Sequence, residues 1–190
     1  MSQRVENINI QKLVLWTENP RDPIDPSASD QDVVDRALDD KLLKWTLKKL
    51  AKEMGDYYDF SELPTVVFHG KKPVVYDGNR RVILGKIKHG LVTIPKGTSI
   101  ELPYFPVEIP CNVCSLKIAL NNVLRKHSDS GSWLPLERDI FLHKFMGKAK
   151  SAFLVLEEDT LIISSNPHLN KRFVKEEIFR DDLLQLMGFS

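Results

Sequence analysis

The sequence of 190 residues is poor in cysteine, with only Cys111 and Cys114, in the segment PCNVC. A structural zinc site needs four ligands, and the sequence has no second CxxC and no HxxxH to complete one. A redox CxxC normally opens a helix, whereas this pair lies in an apolar run that favours a strand. We expect two reduced, mostly buried thiols, with zinc or disulfide chemistry as the lesser alternative.

Long apolar runs are also missing. No stretch reaches the roughly 18 apolar residues of a transmembrane helix. The N-terminal segment MSQRVENINIQ lacks the apolar stretch of a signal peptide. Together with the reduced cysteines, these absences predict a cytoplasmic protein that does not contact a membrane.

The charges nearly cancel, giving a formal net charge of +1, so the chain as a whole has no strong attraction for nucleic acid. Their distribution is uneven. Residues 18–40 contain eight carboxylates and two arginines, whereas residues 41–52 contain five lysines and no acid. This pattern is typical of a solvated acidic loop followed by a helix with a basic outer face. The basic face could contact DNA phosphates non-specifically.

The hydrophobic pattern alternates between strand-like and helix-like segments. Alternation and short apolar runs predict strands over residues 8–16, 64–68, 73–76 and 105–114. Helical spacing predicts a helix over residues 33–54, with a break at Asp39 and Asp40, and a second helix from the segment DGNRR through Lys88. Three further helices are predicted over residues 116–124, 135–146 and 174–187. Asp30 or Asp32 is the expected N-cap of the first helix, and Gly55 its expected end.

This order of elements predicts a compact α+β domain with a helical C-terminal part. We place the domain at residues 1–146 and the helical extension at residues 147–190.

The segment Asp77-Gly78-Asn79-Arg80-Arg81 places two arginines where a strand gives way to a helix. Glycine permits a sharp turn and leaves room for a ligand. The first turn of a helix favours an anion, so arginines there oppose the helix dipole. A phosphate resolves this conflict, because it accepts hydrogen bonds from guanidinium groups and backbone N–H groups together. In the alternative, one arginine pairs with a surface carboxylate and the other is solvated.

Four segments carry a resemblance to a known family, and they stand in the order NPR (residues 19–21), GNRR (78–81), NNVLR (121–125) and LPLE (134–137). They are similar to the Asn-Pro…Arg loop, the Gly-Glu-Arg-Arg turn, the Glu-Asn-x-x-Arg motif and the Asn-Pro-Ile-Glu segment of ParB-type members of the ParB/sulfiredoxin superfamily. The resemblance covers residues 7–145 and implies a small mixed sheet with packed helices.

The resemblance also implies a site for Mg²⁺ with a nucleoside triphosphate. It assigns phosphate binding to Gly78, Asn79, Arg80, Arg81 and Arg21. Asn122 would position the Mg²⁺ and Arg125 would close the site, and their spacing of three residues places them on one helical face. In the alternative, Asn122 is an ordinary exposed residue of its helix.

The chain departs from the family pattern at several positions. Asn79 and Asn121 replace glutamates, and the loss of two carboxylates argues against efficient hydrolysis of the ParB kind. Ile83 stands where ParB members carry a third arginine. The sulfiredoxin cysteine falls at the position of Asn79, so that activity lacks its thiolate nucleophile and is not expected.

Asp77 gives the turn the form DGNRR, which resembles the DGxxR turn of small-molecule kinases in the superfamily and of several mobile-element and modification-system proteins. A carboxylate beside two arginines stays ionised and could accept a proton from a substrate hydroxyl or hold Mg²⁺. Asp77 is therefore the candidate catalytic residue, with capping of the following helix as the alternative.

The leading hypothesis is a ParB-like domain that binds NTP and Mg²⁺ in DNA maintenance, plasmid or phage biology, or defence, and that could act as an NTPase or phosphotransferase. The alternatives are a ParB-like nuclease or small-molecule kinase that uses Asp77, and a non-catalytic module that binds DNA or protein. A nuclease ranks lower, because it needs at least two acidic metal ligands. A homodimer is a further expectation.

Overall fold

The structure, a computed structural model, describes residues 3–41, 44–128 and 133–189. It combines a mixed sheet with helices, so the predicted α+β class is confirmed. The chain forms two compact units, Met1–Asn121 and Asn122–Ser190. The boundary between the units lies within helix α4 (Leu116–Ser128). The domain boundary predicted at residue 146 was based on the family resemblance and stays a prediction.

Within the described residues, the first unit contains a five-stranded sheet in the order β1-β5-β3-β4-β2. Its strands are β1 Arg4–Asn9, β2 Val14–Leu15, β3 Thr65–His69, β4 Lys72–Asp77 and β5 Glu108–Val113. Strand β1 runs antiparallel to β5, and β3 runs antiparallel to β4. Strands β5 and β3 are parallel, as are β4 and β2. The predicted hairpin of β3 and β4 is confirmed.

The single strand predicted over residues 8–16 is wrong, because a turn at Asn9 divides it. The N–H of Lys12 donates to the Asn9 carbonyl (2.9 Å), and the N–H of Gln11 donates to the Asn9 side-chain oxygen (2.9 Å). An asparagine side chain that accepts from the backbone two residues on is a common turn former. The turn sends β1 and β2 to opposite edges of the sheet.

Helices α1 Asp30–Leu38, α2 Leu47–Met54 and α3 Asn79–Lys88 follow the predicted apolar spacing. The break predicted at Asp39 and Asp40 is confirmed, and residues 42 and 43 of that run lie outside the described residues. The N-cap of α1 is Ser29 instead of Asp30 or Asp32. The Ser29 hydroxyl accepts from the N–H of Asp32, whose carboxylate accepts from the N–H of Ser29. This capping box satisfies two backbone donors at once.

Helix α3 lies in the core of the first unit through buried apolar residues, among them Val82, Ile83 and Leu84. Ile83 lies in the core, which explains why an arginine is not found at that position: an unpaired charge there would be strongly destabilising. Gly85 allows the close approach. A Cβ atom at Gly85 would lie 2.1 Å from Cδ1 of Ile10 and 2.9 Å from the Phe105 ring.

Both cysteines are free and buried, as predicted. Cys111 lies in β5, and Cys114 follows the end of that strand. Burial raises the pKa of the Cys111 thiol to about 12 and raises that of Cys114 as well. Both sulfurs therefore stay protonated thiols at neutral pH and are poor nucleophiles.

The second unit is helical in its described residues. Its elements after α4 are α5 Pro135–Met146, α6 Ala152–Thr160, α7 Ile162–Ser165, a 3-10 helix Pro167–Leu169, a π-helix Val174–Ile178 and α8 Asp181–Leu186. They enclose a separate core of Leu136, Ala152, Phe153, Leu154, Leu156, Ile163 and Leu184. The single helix predicted over residues 174–187 is wrong, because the backbone is extended at Arg180 (ψ 138°). Among the residues that the structure describes, no helix has the length and apolarity to cross a bilayer.

Replacing Gly85 with alanine should lower the free energy of unfolding by about 1–3 kcal/mol, because the new methyl group overlaps Ile10 and Phe105. At an exposed helical position the same replacement would raise the free energy of unfolding by up to about 1 kcal/mol. Urea denaturation followed by circular dichroism measures the difference, with Lys49→Ala on the exposed face of α2 as the control. A stabilised Gly85→Ala protein would contradict the close packing of α3.

Candidate phosphate-binding site

The turn between β4 and α3 depends on Gly78. Its backbone lies in the left-handed region (φ 90°, ψ 10°), which glycine adopts without strain. A Cβ atom there would also approach Cα of Pro64 to 3.1 Å. The N–H of Val82 donates to the Gly78 carbonyl (3.1 Å) and closes the first turn of α3. Strand β4 therefore passes directly into the helix, with Gly78 as the N-cap.

Asn79 is 4% exposed, and its side chain fastens the turn to the sheet. Its oxygen accepts from the N–H of Trp16 (3.0 Å), and its amide nitrogen donates to the carbonyl of Val75 (2.8 Å). A carboxylate could not make the second bond, because it has no donor. This double role gives a physical reason for asparagine at this position of the turn. A phosphate contact from Asn79 would have to come from its backbone N–H.

The two arginines have different partners. Nη1 of Arg81 pairs with the carboxylate of Glu62 (2.6 Å). One arginine thus pairs with a carboxylate, as the alternative interpretation of the sequence predicted. Nη1 of Arg80 donates to the hydroxyl of Thr46 (3.2 Å), and Arg80 is half-buried instead of solvated. Nε of Arg81 is buried and has no hydrogen-bond partner within the described residues. A donor left in this state is destabilising unless a ligand accepts from it.

The charge of Arg80 is poorly balanced. Within residues 3–41, 44–128 and 133–189 no carboxylate forms an ion pair with it. Burial and the neighbouring charge of Arg81 lower its pKa, although Glu53, Asp77 and Glu62 lie near enough to attract it. The first turn of α3 contains no acidic residue. Because the helix dipole adds further positive potential at this point, the site favours a bound anion.

Arg21 and Arg80 are brought to the same short segment, residues 44–46. Nη1 of Arg21 donates to the carbonyl of Lys44 (2.6 Å), next to the Thr46 contact of Arg80. Thr46 is the N-cap of α2 and has φ 48°, an uncommon conformation for a β-branched residue. Strain of this kind is often found at binding sites. The structure thus joins the start of α2 to the start of α3 through an arginine.

The segment at the start of α2 is held by an internal anion, the carboxylate of Asp40. It accepts from the N–H groups of Lys44 (2.6 Å), Trp45 (2.8 Å) and Thr46 (2.7 Å). Three consecutive N–H groups around one carboxylate form the kind of concave site that binds anions in proteins. These three donors are therefore already used, and a ligand would be bound mainly at the α3 side.

Asp22 neutralises two other cations of the first unit. Its buried carboxylate accepts from Nε of Arg36 (2.9 Å), Nε1 of Trp45 (3.2 Å) and Nζ of Lys44 (3.4 Å). Burial alone would raise the pKa of Asp22, but the hydrogen bonds from Arg36 and Trp45 and the charge of Lys44 outweigh it and lower the pKa. Asp22 is therefore ionised at neutral pH and balances these cations.

Asp77 is half-buried at the end of β4, and its charge acts on Arg80. It lies one residue before the N-cap of α3, which is Gly78. Within the described residues no group of three or more His, Cys, Asp or Glu side chains could hold a metal ion. A magnesium ion brought by a nucleotide would need only one or two protein ligands, because the phosphates and water supply the others.

Asn122 and Arg125 lie three residues apart on α4, and Arg125 is exposed. They belong to the second compact unit, whereas Arg21 and the turn at Gly78 belong to the first. Their predicted contribution to the site therefore stays a prediction.

Sequence reasoning missed Asp40, Thr46 and Glu62. Thr46 precedes the run LKKLAKEM and could have been recognised as an N-cap from its residue type. The roles of Asp40 and Glu62 depend on tertiary contacts, and no spacing in the sequence signals them.

Comparisons with protein-family models, curated proteins and solved structures found no match to this chain. The resemblance to ParB-type proteins therefore stays a prediction based on the four motifs.

Replacing Arg80 with methionine should leave the free energy of unfolding of the ligand-free protein unchanged or raise it by up to about 1 kcal/mol, because the change removes a desolvated charge that lacks an ion pair. Arg36→Met is the matched control. It should lower the free energy of unfolding by about 1–3 kcal/mol, because the buried Asp22 carboxylate loses two hydrogen bonds. Thermal and urea denaturation measure both variants. A larger loss for Arg80→Met than for Arg36→Met would show that Arg80 serves stability.

The stability that Asp22 contributes should be present at neutral pH and disappear in acid. Its folded-state pKa lies below that of an unfolded aspartate, about 3.9. The ionised group therefore favours the folded state above that pH, and the contribution is lost as the pH falls through the folded-state pKa. Urea denaturation of the wild type and Asp22→Asn from about pH 7 to about pH 3 should show a shrinking difference in unfolding free energy. Asp39→Asn, at an exposed carboxylate, should show little difference at any pH, and a constant difference for Asp22→Asn would refute the assignment.

Proposed function

We propose that the first unit binds the phosphate groups of a nucleotide at the start of α3. The observation that carries this proposal is the half-buried Arg80 in the first turn of α3, whose guanidinium donates to Thr46 and has no carboxylate ion pair within the described residues. Such an arrangement is unfavourable by itself and becomes favourable when an anion is bound. The next residue, Arg81, carries a second guanidinium, whose Nη1 pairs with Glu62 and whose buried Nε has no hydrogen-bond partner within the described residues.

A phosphate fits these donors better than a carboxylate does. It carries more negative charge and presents three oxygens, which can accept from two guanidinium groups and a backbone N–H in different directions. Gly78 leaves the backbone of the turn without a side chain on its N-cap. Arg21, which already contacts the segment at the start of α2, would bind a second phosphate group of the same ligand.

The ligand that agrees best with the motifs is a nucleoside triphosphate with Mg²⁺. The ion would be held chiefly by the phosphates. Asp77, whose charge already acts on Arg80, is the proposed catalytic carboxylate for phosphoryl transfer. The order of the four motifs supports a ParB-like domain in DNA maintenance, plasmid or phage biology, or defence.

Titration of the purified protein with each fluorescent NTP in the presence of Mg²⁺ tests the proposal. Arg80→Ala should weaken nucleotide binding by about 10- to 100-fold, the expected loss for one charge-assisted hydrogen bond or two. Arg4→Ala is the matched control, because Arg4 is an exposed arginine that pairs with Glu6 in the same unit. It removes an equal charge and should leave binding unchanged.

Two outcomes would refute the proposal. The first is the lack of measurable binding for every nucleotide, with and without Mg²⁺. The second is equal affinity in wild type, Arg80→Ala and Arg4→Ala, which would place any bound nucleotide elsewhere. A weaker affinity in both variants would indicate a general effect of net charge instead of a site at α3.

A further inference from the structure

A second cleft of the first unit lies between α2 and residues 99–104, with a volume of about 610 Å³. Its floor contains the buried Ala51 and Pro103. None of the residues that the family resemblance assigns to nucleotide binding lines it, whereas Lys48 and Lys52 of the predicted basic face do. Its volume falls in the range of about 300–1,000 Å³ that is common for ligand sites. This cleft is therefore large enough for a ligand of its own.

One wall of the cleft is cationic. Lys48 and Lys52 stand one helical turn apart on the exposed side of α2. Neither lysine forms an ion pair within the described residues, whereas Lys49 on the same helix pairs with Glu53 (3.8 Å). The ammonium groups of Lys48 and Lys52 are thus available to negatively charged groups in the cleft.

The opposite rim is aromatic. Tyr104 lines the cleft and is 70% exposed. It forms an isolated parallel bridge with Tyr57, which is 71% exposed, and the N–H of Tyr104 donates to the carbonyl of Asp56 (3.2 Å). Residues paired across neighbouring strands place their side chains on the same face. The exposed rings of Tyr104, which lines the cleft, and of Tyr57, its bridge partner beside the cleft, are together called the aromatic platform.

We infer that this cleft binds single-stranded nucleic acid. Proteins that bind single strands combine lysines or arginines that follow the phosphates with aromatic rings on which the bases stack. Lys48 and Lys52 would contact successive phosphates, and the aromatic platform would stack the adjacent bases. A duplex would bind less well, because its bases are already stacked on one another and cannot reach the rings.

The acidic residues of the cleft refine the ligand. Asp56 and Glu101 line it together with Lys48 and Lys52, so these four formal charges cancel. Attraction alone would therefore be weak, and base stacking would supply much of the affinity. A carboxylate accepts a hydrogen bond from the amino group of cytosine but repels the carbonyl oxygen that thymine has in its place. We accordingly expect a cytosine-rich strand to bind more tightly than a thymine-rich one.

Fluorescence anisotropy with the full chain and labelled oligo-dC, oligo-dT and a duplex of equal length tests this inference. Oligo-dC should bind most tightly and the duplex least. Tyr104→Ala should weaken binding of oligo-dC by at least about fivefold, as the loss of one stacked base predicts. The double variant Lys48→Ala/Lys52→Ala should weaken it and reduce the slope of log K against log salt by about 1.4, because two phosphate contacts are lost.

Matched controls separate the cleft from general effects. Lys71→Ala/Lys72→Ala removes two exposed lysines at the β3–β4 turn, and Phe173→Ala removes an exposed ring of the second unit. Both should bind the oligonucleotides as the wild type does.

Equal binding of duplex and single strand, or oligonucleotide binding unaffected by the Tyr104 and lysine variants, would overturn the inference. So would a lack of oligonucleotide binding at low salt. If the cleft then bound a peptide library in a Tyr104-dependent manner, the surface would be assigned to a protein partner instead.

Discussion

The proposed nucleotide site of the first unit depends on the unbalanced positive charge at the start of α3. The helix N-terminus, the neighbouring Arg81 and partial burial each destabilise the charged form of Arg80. Folding holds Arg80 there because Gly78 and Asn79 fix the turn on which it stands. The fold thus maintains a local positive potential that a bound anion would relieve.

The rest of the first unit shows how this chain balances cations when no ligand is required. Asp22 forms ion pairs with Arg36 and Lys44, and Glu62 forms one with Arg81. The carboxylate of Asp40 accepts hydrogen bonds from the N–H groups before α2. The sequence predicted that the acidic residues of 18–40 lie in a solvated loop. Two of them, Asp22 and Asp40, instead stabilise the fold through hydrogen bonds. The exposed Lys48 and Lys52 also lack ion pairs, but the partly buried Lys44 and Arg81 each pair with a carboxylate, whereas the half-buried Arg80 does not within the described residues.

The sequence allowed much of the fold to be predicted, because periodicity and turn residues act locally. The β3–β4 hairpin, the break after α1 and the end of α2 at Gly55 all follow from such signals. The turn at Asn9 was missed, because the alternation of apolar and polar residues at Ile8, Asn9 and Ile10 continues through it. At the site, the glycine turn and the arginines were predictable from residue type. The partners Thr46 and Glu62 were not, since they reach the arginines only through tertiary contacts.

The placement of β1 has a consequence for how the protein is made. Arg4, in the first strand, pairs with Val113, in the last strand of the sheet. Contacts between such distant parts of a chain slow folding, because a long loop must close before they form. A ribosome-bound chain that has not reached residue 113 cannot complete its sheet, and its apolar surfaces stay exposed to water. The sheet of the nascent protein can therefore be completed only after β5 has emerged.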